Sequence, residues 1–164
     1  MTKKIQPLLK ISKYEIKQVI GKGSMGMVYE AYDPFVQRAV AIKVAHQIDH
    51  SDARLAQQTR EGFFAEVYSA GRMHHPSVVS VYDAGQQDDL NYIVMEFVDG
   101  VTLQEYVTGK RVLSTSQVID AIYQCAKGLD YVHRQGIIHR DIKPGNIMLS
   151  TDGEVKIMDF SIAH

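Results

Sequence analysis

The chain has 164 residues, 45% of them hydrophobic and 23% charged, enough apolar material to bury a core within the size of one ordinary domain. With 18 Lys and Arg against 19 Asp and Glu, the formal net charge of -1 excludes the basic excess of a nucleic-acid or membrane-surface binder, so any anion site must be built locally. The single cysteine, Cys125, excludes an internal disulfide, points to a reducing cytoplasm, and sits in a helical apolar setting that suits a small packed residue better than a nucleophile.

The opening "MTKKIQPLLKISKYE" is basic, but Pro7, Lys10 and Lys13 interrupt its apolar residues, so no signal-peptide core forms. No apolar run reaches transmembrane length. Tyr14 to Gly21 alternates like a half-buried strand, and Met27 to Asp33 does the same. Between them lies "GKGSMGMV", Gly21 to Val28, a G-x-G-x-x-G-x-V pattern. After the turn chemistry of Asp33-Pro34, Arg38 to Ala45 predicts a third strand and an antiparallel meander. From Ala53 to Met73, Phe64, Val67, Tyr68 and Gly71 recur at helical spacing, and "HHP" closes the helix. Two more strands fit "SVVSVYDAG" and "LNYIVMEFV", which makes five strands and one helix.

Past Asp99-Gly100, where the composition shifts and a connection between lobes is expected, the pattern turns helical. Capping-box sequences stand at Thr102-x-x-Glu105 and, more strongly, at Ser114-x-x-Gln117. Behind the second, Val118, Ile122, Cys125, Leu129 and Val132 hold one apolar face for roughly four turns before Gly136 ends the helix.

Three close glycines suit either a plain hairpin turn or a backbone that must approach a phosphate. A dinucleotide-binding fold needs a helix after its glycines, and "MVYEAYD" is β-branched and aromatic. A P-loop needs Gly-Lys-Ser/Thr, and Lys22-Gly23-Ser24 puts another glycine where the hydroxyl residue belongs. What fits is a hairpin lying over a nucleotide as a flap, its N–H groups donating to phosphates. That reading predicts a lysine on the next strand, then a partner carboxylate, then metal-binding acids, and the chain supplies each in order.

With the flap, "VAIK" (Val40 to Lys43), "HRDIKPGN" (His139 to Asn146) and "MDFS" (Met158 to Ser161) resemble the signature set of protein kinases. "YEAYDP", "HHPSVVSVYDAG" and "YIVMEFVDGVTL" are most similar to bacterial Ser/Thr kinases of the eukaryotic-like type, and the resemblance spans Tyr14 to His164. It implies an α+β fold, with a five-stranded antiparallel sheet and one C-helix as N-lobe, followed by the start of a mainly helical C-lobe. Residues 1–13 are then an N-terminal extension, 14–98 the N-lobe, and 99–164 the hinge exit and a partial C-lobe with the catalytic loop, truncated before the activation segment. ATP, Mg2+ and a protein substrate are implied with it.

Lys43 sits on a mostly apolar strand, where a buried ammonium needs anions; the resemblance supplies the α/β-phosphates and a helix glutamate. Glu66 is the expected partner, nine residues before His75 although 23 after Lys43, and Glu61 is its rival. Gly21, Gly23 and Gly26 are implied to hold phosphates. By the same resemblance Asp141 orients or deprotonates the substrate hydroxyl, Lys143 steadies the γ-phosphate, Asn146 and Asp159 hold magnesium, and Arg140 answers an activation-loop phosphate. Ile20, Val28, Ala41, Val79, Met95 and Met148 are implied to sandwich the adenine, with backbone bonds from Glu96 and Val98. The seven histidines lack the spacing of a helical metal pair, so no transition-metal site is expected.

Ser161 replaces the glycine usual in Asp-Phe-Gly and restricts backbone swing beside Asp159. The expected function is ATP-dependent phosphoryl transfer to protein Ser/Thr hydroxyls, with the isolated chain inactive and prone to self-association. A non-catalytic nucleotide-binding module and a small-molecule kinase are the alternatives.

Overall fold

The computed structural model describes residues 10–23, 26–45, 57–58, 61, 67, 71–88, 90–109 and 111–159. The chain forms two compact units, residues 1–49 with 83–97 and residues 50–82 with 98–164.

The first unit is built on a six-stranded sheet ordered β1-β2-β3-β4-β6-β5. Its strands are β1 (Lys10–Ile11), β2 (Tyr14–Gly23), β3 (Gly26–Asp33), β4 (Arg38–Ala45), β5 (Val81–Gln87) and β6 (Leu90–Glu96). The five expected strands are present, and the two-residue β1 joins as an extra edge, pairing Ile11 with Tyr14. Alternation sorts the faces: Tyr29, Ala31, Val40, Ile42, Val44, Tyr92 and Val94 pack into one cluster with Ile11 and Tyr14. At the β3–β4 turn the buried Asp33 accepts N–H bonds from Phe35 (2.9 Å) and Val36 (3.3 Å) and pairs with Lys13 (3.4 Å). Burial opposes its charge, but these donors outweigh it and hold its pKa below the ordinary carboxylate value.

"SVVSVYDAG" becomes a strand only from Val81. Its first half, Ser77 to Val79, is claimed by the second unit: Ile157 N–H donates to the Ser77 carbonyl and Val79 N–H to the Ile157 carbonyl, each at 2.9 Å. The reason is apolar packing, since Val78 is buried with Met73, Val132 and Ile157. Of the expected Ala53 to Met73 helix, Gln57, Gln58, Glu61 and Val67 are helical, and the remainder before Gly71 lies outside the described residues.

The second unit carries a three-stranded sheet, β7 (Gly100–Thr102), β8 (Ile147–Ser150) and β9 (Val155–Ile157), with helices α1 (Leu103–Val107) and α2 (Thr115–Arg134). Ser114 and Gln117 form the expected capping box, Ser114 N–H to Gln117 Oε1 at 2.9 Å and Gln117 N–H to Ser114 Oγ at 3.3 Å. Thr102 caps α1 without a side-chain bond, because it is paired with Met148 in the sheet and Glu105 reaches Arg111 at 3.8 Å. At Gly136, N–H bonds from Gly136 to His133 and from Ile137 to Val132 close α2. Gly128 lets this helix approach closely: a Cβ there would stand 3.0 Å from Ile157 and 3.2 Å from Ser77. Ala121 of α2 packs with Ile147, Leu149 and Val155, and Cys125 lies against that cluster.

Candidate functional site

In the first unit the glycine pattern is a β-hairpin, with Gly23 paired to Gly26 and Gly21 to Val28. No helix follows it, which fits a flap and neither a dinucleotide turn nor a P-loop. Gly26 has φ +148°, and a Cβ on it would fall 1.8 Å from the Val44 carbonyl oxygen, so the flap closes on β4 only as glycine.

Opposite partners in an antiparallel sheet share a face. Val28 faces Lys43, Lys43 faces Ile93, and Ala41 faces Met95. These five residues therefore form the face away from the main core. Lys43 is only 7% exposed there, on a face whose other four residues are apolar. Ile93, 2% exposed beside Lys43, belongs to this face although its sequence context gave no signal beyond an apolar strand. Ile20 lies half exposed on β2, and Glu96 faces Val40. Glu66 lies outside the described residues. Its rival Glu61 is exposed and accepts from Gln57 Nε2 at 2.9 Å.

In the second unit a loop after α2 gathers the other polar residues. Asp141 is the hub: Lys143 Nζ donates to its Oδ2 at 2.7 Å, and Asn146 Nδ2 donates to the same oxygen and to the Asp141 backbone carbonyl, each at 2.8 Å. These bonds, first Lys143 and then Asn146, hold the Asp141 pKa below its ordinary value. Asn146 is 6% exposed in the 3-10 turn Pro144–Asn146, and its backbone carbonyl accepts Met158 N–H at 3.0 Å, so the segment leading to Asp159 is tied to the loop. Val79 and Val98 are buried, and Met148 sits on β8 facing Thr102 and Lys156. Ser161 lies outside the described residues.

His139 of "HRDIKPGN" takes a structural part that the motif alone does not assign. It is 1% exposed; its Nδ1 accepts Asp141 N–H at 3.3 Å, so Nε2 carries the proton given to the Met158 carbonyl at 2.9 Å. The signal was present: a histidine following the apolar Ile137-Ile138 must satisfy two ring nitrogens out of water. Two non-glycine residues beside these bonds, Arg140 (φ 63°) and Asp159 (φ 57°), adopt the left-handed conformation, strain of a kind found where geometry serves a ligand.

The donor set suits a hard cation. With both amide protons given to Asp141, Asn146 offers its carbonyl oxygen, and Asp159 offers a carboxylate; magnesium is commonly held by one or two protein oxygens plus substrate phosphates. Among the described residues no three His, Cys, Asp or Glu gather into a metal cluster. Burial raises the Cys125 pKa, and the thiol lines an apolar groove of about 350 Å³ with Leu113, Val118, Ile122 and Leu129. No helix among the described residues is long and apolar enough to cross a membrane.

Residues 14–164 match the family model for the protein kinase domain. Serine/threonine-protein kinase PrkC of Bacillus subtilis is 40% identical over 151 residues, which are 92% of this chain and 23% of that protein. PknB of Mycobacterium tuberculosis is 39% identical over 155 residues, 92% of this chain and 24% of that protein. The chain thus spans about a quarter of the length of these curated relatives. Among solved structures, the kinase domain of Mycobacterium tuberculosis PknI superposes with a TM-score of 0.77 at 29% identity, covering 94% of this chain and 62% of that one. A glycine hairpin over a buried strand lysine, a loop organised on one aspartate, and a match along residues 14–164 together establish that the chain belongs to the protein kinase family.

Proposed function

We propose that this chain is the nucleotide-holding part of a bacterial-type Ser/Thr protein kinase, acting in the cytoplasm on a protein hydroxyl. Residues 14–98 serve as its N-lobe and 99–164 as the beginning of its C-lobe. The observation that carries this reading is Asp141, held charged by Lys143 and Asn146 on a loop tied to the segment of Asp159.

Gly21, Gly23 and Gly26 present backbone donors to phosphate oxygens, and Lys43 supplies the buried positive charge, steadied by Glu66. Val28, Ala41 and Met95 offer an apolar face to the adenine, joined by Ile20 and Met148, while Glu96 and Val98 contribute backbone hydrogen bonds. Asn146 and Asp159 hold magnesium by oxygen. Bound Mg-ATP supplies the transferable γ-phosphoryl group and neutralises its charge. Asp141 keeps Oδ2 on the Asn146 amide and turns its other oxygen to the substrate hydroxyl. Its lowered pKa makes it a weak base, so it orients the hydroxyl first and takes the proton late. Lys143, released from Asp141, follows the γ-phosphate.

The test is calorimetry of ATP binding with and without Mg2+, followed by radiolabelled phosphate transfer to a basic protein by a form extended to the full length of a kinase domain. Transfer abolished by Asp141→Asn supports the reading. Intact Mg-ATP binding with no transfer by the extended form overturns it in favour of a regulatory nucleotide-binding module.

A further inference from the structure

Asn146 and Asp159 stand at the open end of a hairpin, since β8 starts directly after Asn146 and β9 ends two residues before Asp159. Their spacing is therefore a property of strand register. In the observed register Ile147 faces Ile157 and Leu149 faces Val155. A slip of one residue would carry Asp159 about 3.3 Å along the strand and turn every β9 side chain to the other face. Strands of four and three residues have few ladder bonds with which to prevent this.

Both strands are indexed against α2. Ile147, Leu149 and Val155 pack with Ala121, and one turn further along the helix Gln124 grips the closed end of the hairpin. Gln124 Oε1 accepts Val155 N–H at 2.9 Å, while its Nε2 donates to the Gly153 carbonyl at 3.1 Å and to Asp120 Oδ2 at 2.9 Å. The side-chain amide thus bonds to a carbonyl and an N–H two residues apart, as the N–H and C=O of one residue in a parallel neighbouring strand do, and a shifted β9 cannot satisfy both. Asp120 fixes which way the amide faces. Turned over, Gln124 would set its oxygen against the Asp120 carboxylate and the Gly153 carbonyl, and its N–H against that of Val155. The turn itself is closed on Ser150, which takes Gly153 N–H on its carbonyl (3.1 Å) and Glu154 N–H on its hydroxyl (3.0 Å).

We propose that Gln124, oriented by Asp120, is a positioning residue that sets the β8–β9 register and through it the spacing of Asn146 and Asp159. The link to metal rests on the roles given to those two residues above; the register lock does not.

The experiment uses the labelled 164-residue chain with two readouts: cross-strand nuclear Overhauser contacts with amide exchange at Val155, and ATP binding titrated with MgCl2. Gln124→Leu keeps the volume and loses all three bonds. Expected are at least tenfold faster exchange at Val155, weakened Ile147 to Ile157 contacts, and an at least fivefold rise in the Mg2+ needed for half-maximal ATP binding, with Mg2+-free ATP binding unchanged. Val155 exchange within twofold of the parent and unaltered cross-strand contacts would overturn the proposal. If Gln124→Leu does not fold, Gln124→Glu decides, because it keeps an acceptor for Val155 and no donor for Gly153; an unchanged Val155 exchange rate and Mg2+ midpoint would again overturn it. A parent chain that shows no Mg2+-dependent ATP binding, while Gln124→Leu still shifts the contacts, would uphold the register lock and sink the metal roles.

Discussion

Asp141 has surroundings arranged to keep it charged, and the consequence can be followed by pH. Its carboxylate is stabilised by Lys143 and then Asn146, so the folded-state pKa lies below the ordinary 3.8. A depressed acid contributes stability that is present above the unfolded value and lost as pH falls through the folded one. A 13C titration of the Asp141 carboxyl should have its midpoint below 3.8, and Lys143→Ala should raise it. A midpoint at or above 3.8 in the parent would show that the 2.7 Å contact does not persist in solution. Any loss of activity between pH 5 and 7 must then belong to another group. Lys43 calls for a different measurement. Lys43→Met keeps the length of the stem but removes the charge proposed to meet Glu66, so melting should fall as well. The same change should weaken ATP binding roughly ten- to a hundredfold, the worth of one charge-assisted contact. Equal affinity by calorimetry would remove Lys43 from the phosphate site.

At the scale of elements, the flap and the long helix each depend on a local feature that one substitution removes. Gly26→Ala would drive a methyl group into the Val44 carbonyl, and the backbone of β4 cannot yield as a flexible side chain would. A loss of roughly 3 kcal/mol by chemical denaturation is expected, in the range of strained or overpacked sites; a loss under 1 kcal/mol would mean that the hairpin opens freely. Ser114→Ala should cost about 1 kcal/mol, since it leaves Gln117 N–H without its cap. The same elements show what a sequence makes legible. The β2–β3 hairpin and the Ser114 box are encoded within a few adjacent residues, and both were readable. The fate of Ser77 to Val79 was not, because the bonds that claim them come from Ile157, far along the chain. Thr102 carries a capping pattern like that of Ser114, but pairing with Met148 settles its geometry. His139 and Gln124 were missed for a related reason: each is one ordinary polar residue in sequence, and its role arises from partners that the fold brings to it.

At the scale of the whole molecule, the roles proposed above fall mostly on nucleotide and metal, with Asp141 alone turned to the substrate. The chain matches 62% of the solved PknI kinase domain, and phosphoryl transfer depends on positioning both reactants, so holding ATP provides one half of the reacting pair. The apolar surface of α2 points the same way. Val132 is fully buried at its C-terminal end, while Val118 and Ile122, which line the groove, are 41% and 64% exposed, and Ile119 and Tyr123 beside them on the helix are 63% and 58% exposed. Contiguous exposed apolar surface of this kind favours self-association of the 164-residue chain. The expected outcome is that this chain binds Mg-ATP, sediments with a concentration-dependent mass, and transfers no measurable phosphate to a basic protein, while a form extended to the full length of a kinase domain transfers it and is monomeric. Ile119→Lys with Ile122→Lys, placed on the exposed part of α2, should return the short chain to a monomer without restoring transfer. Robust transfer by the 164 residues alone would show that Asp141 and its loop suffice to position a substrate hydroxyl. A short chain that remains monomeric at all concentrations would show that the groove is too small to hold two copies together.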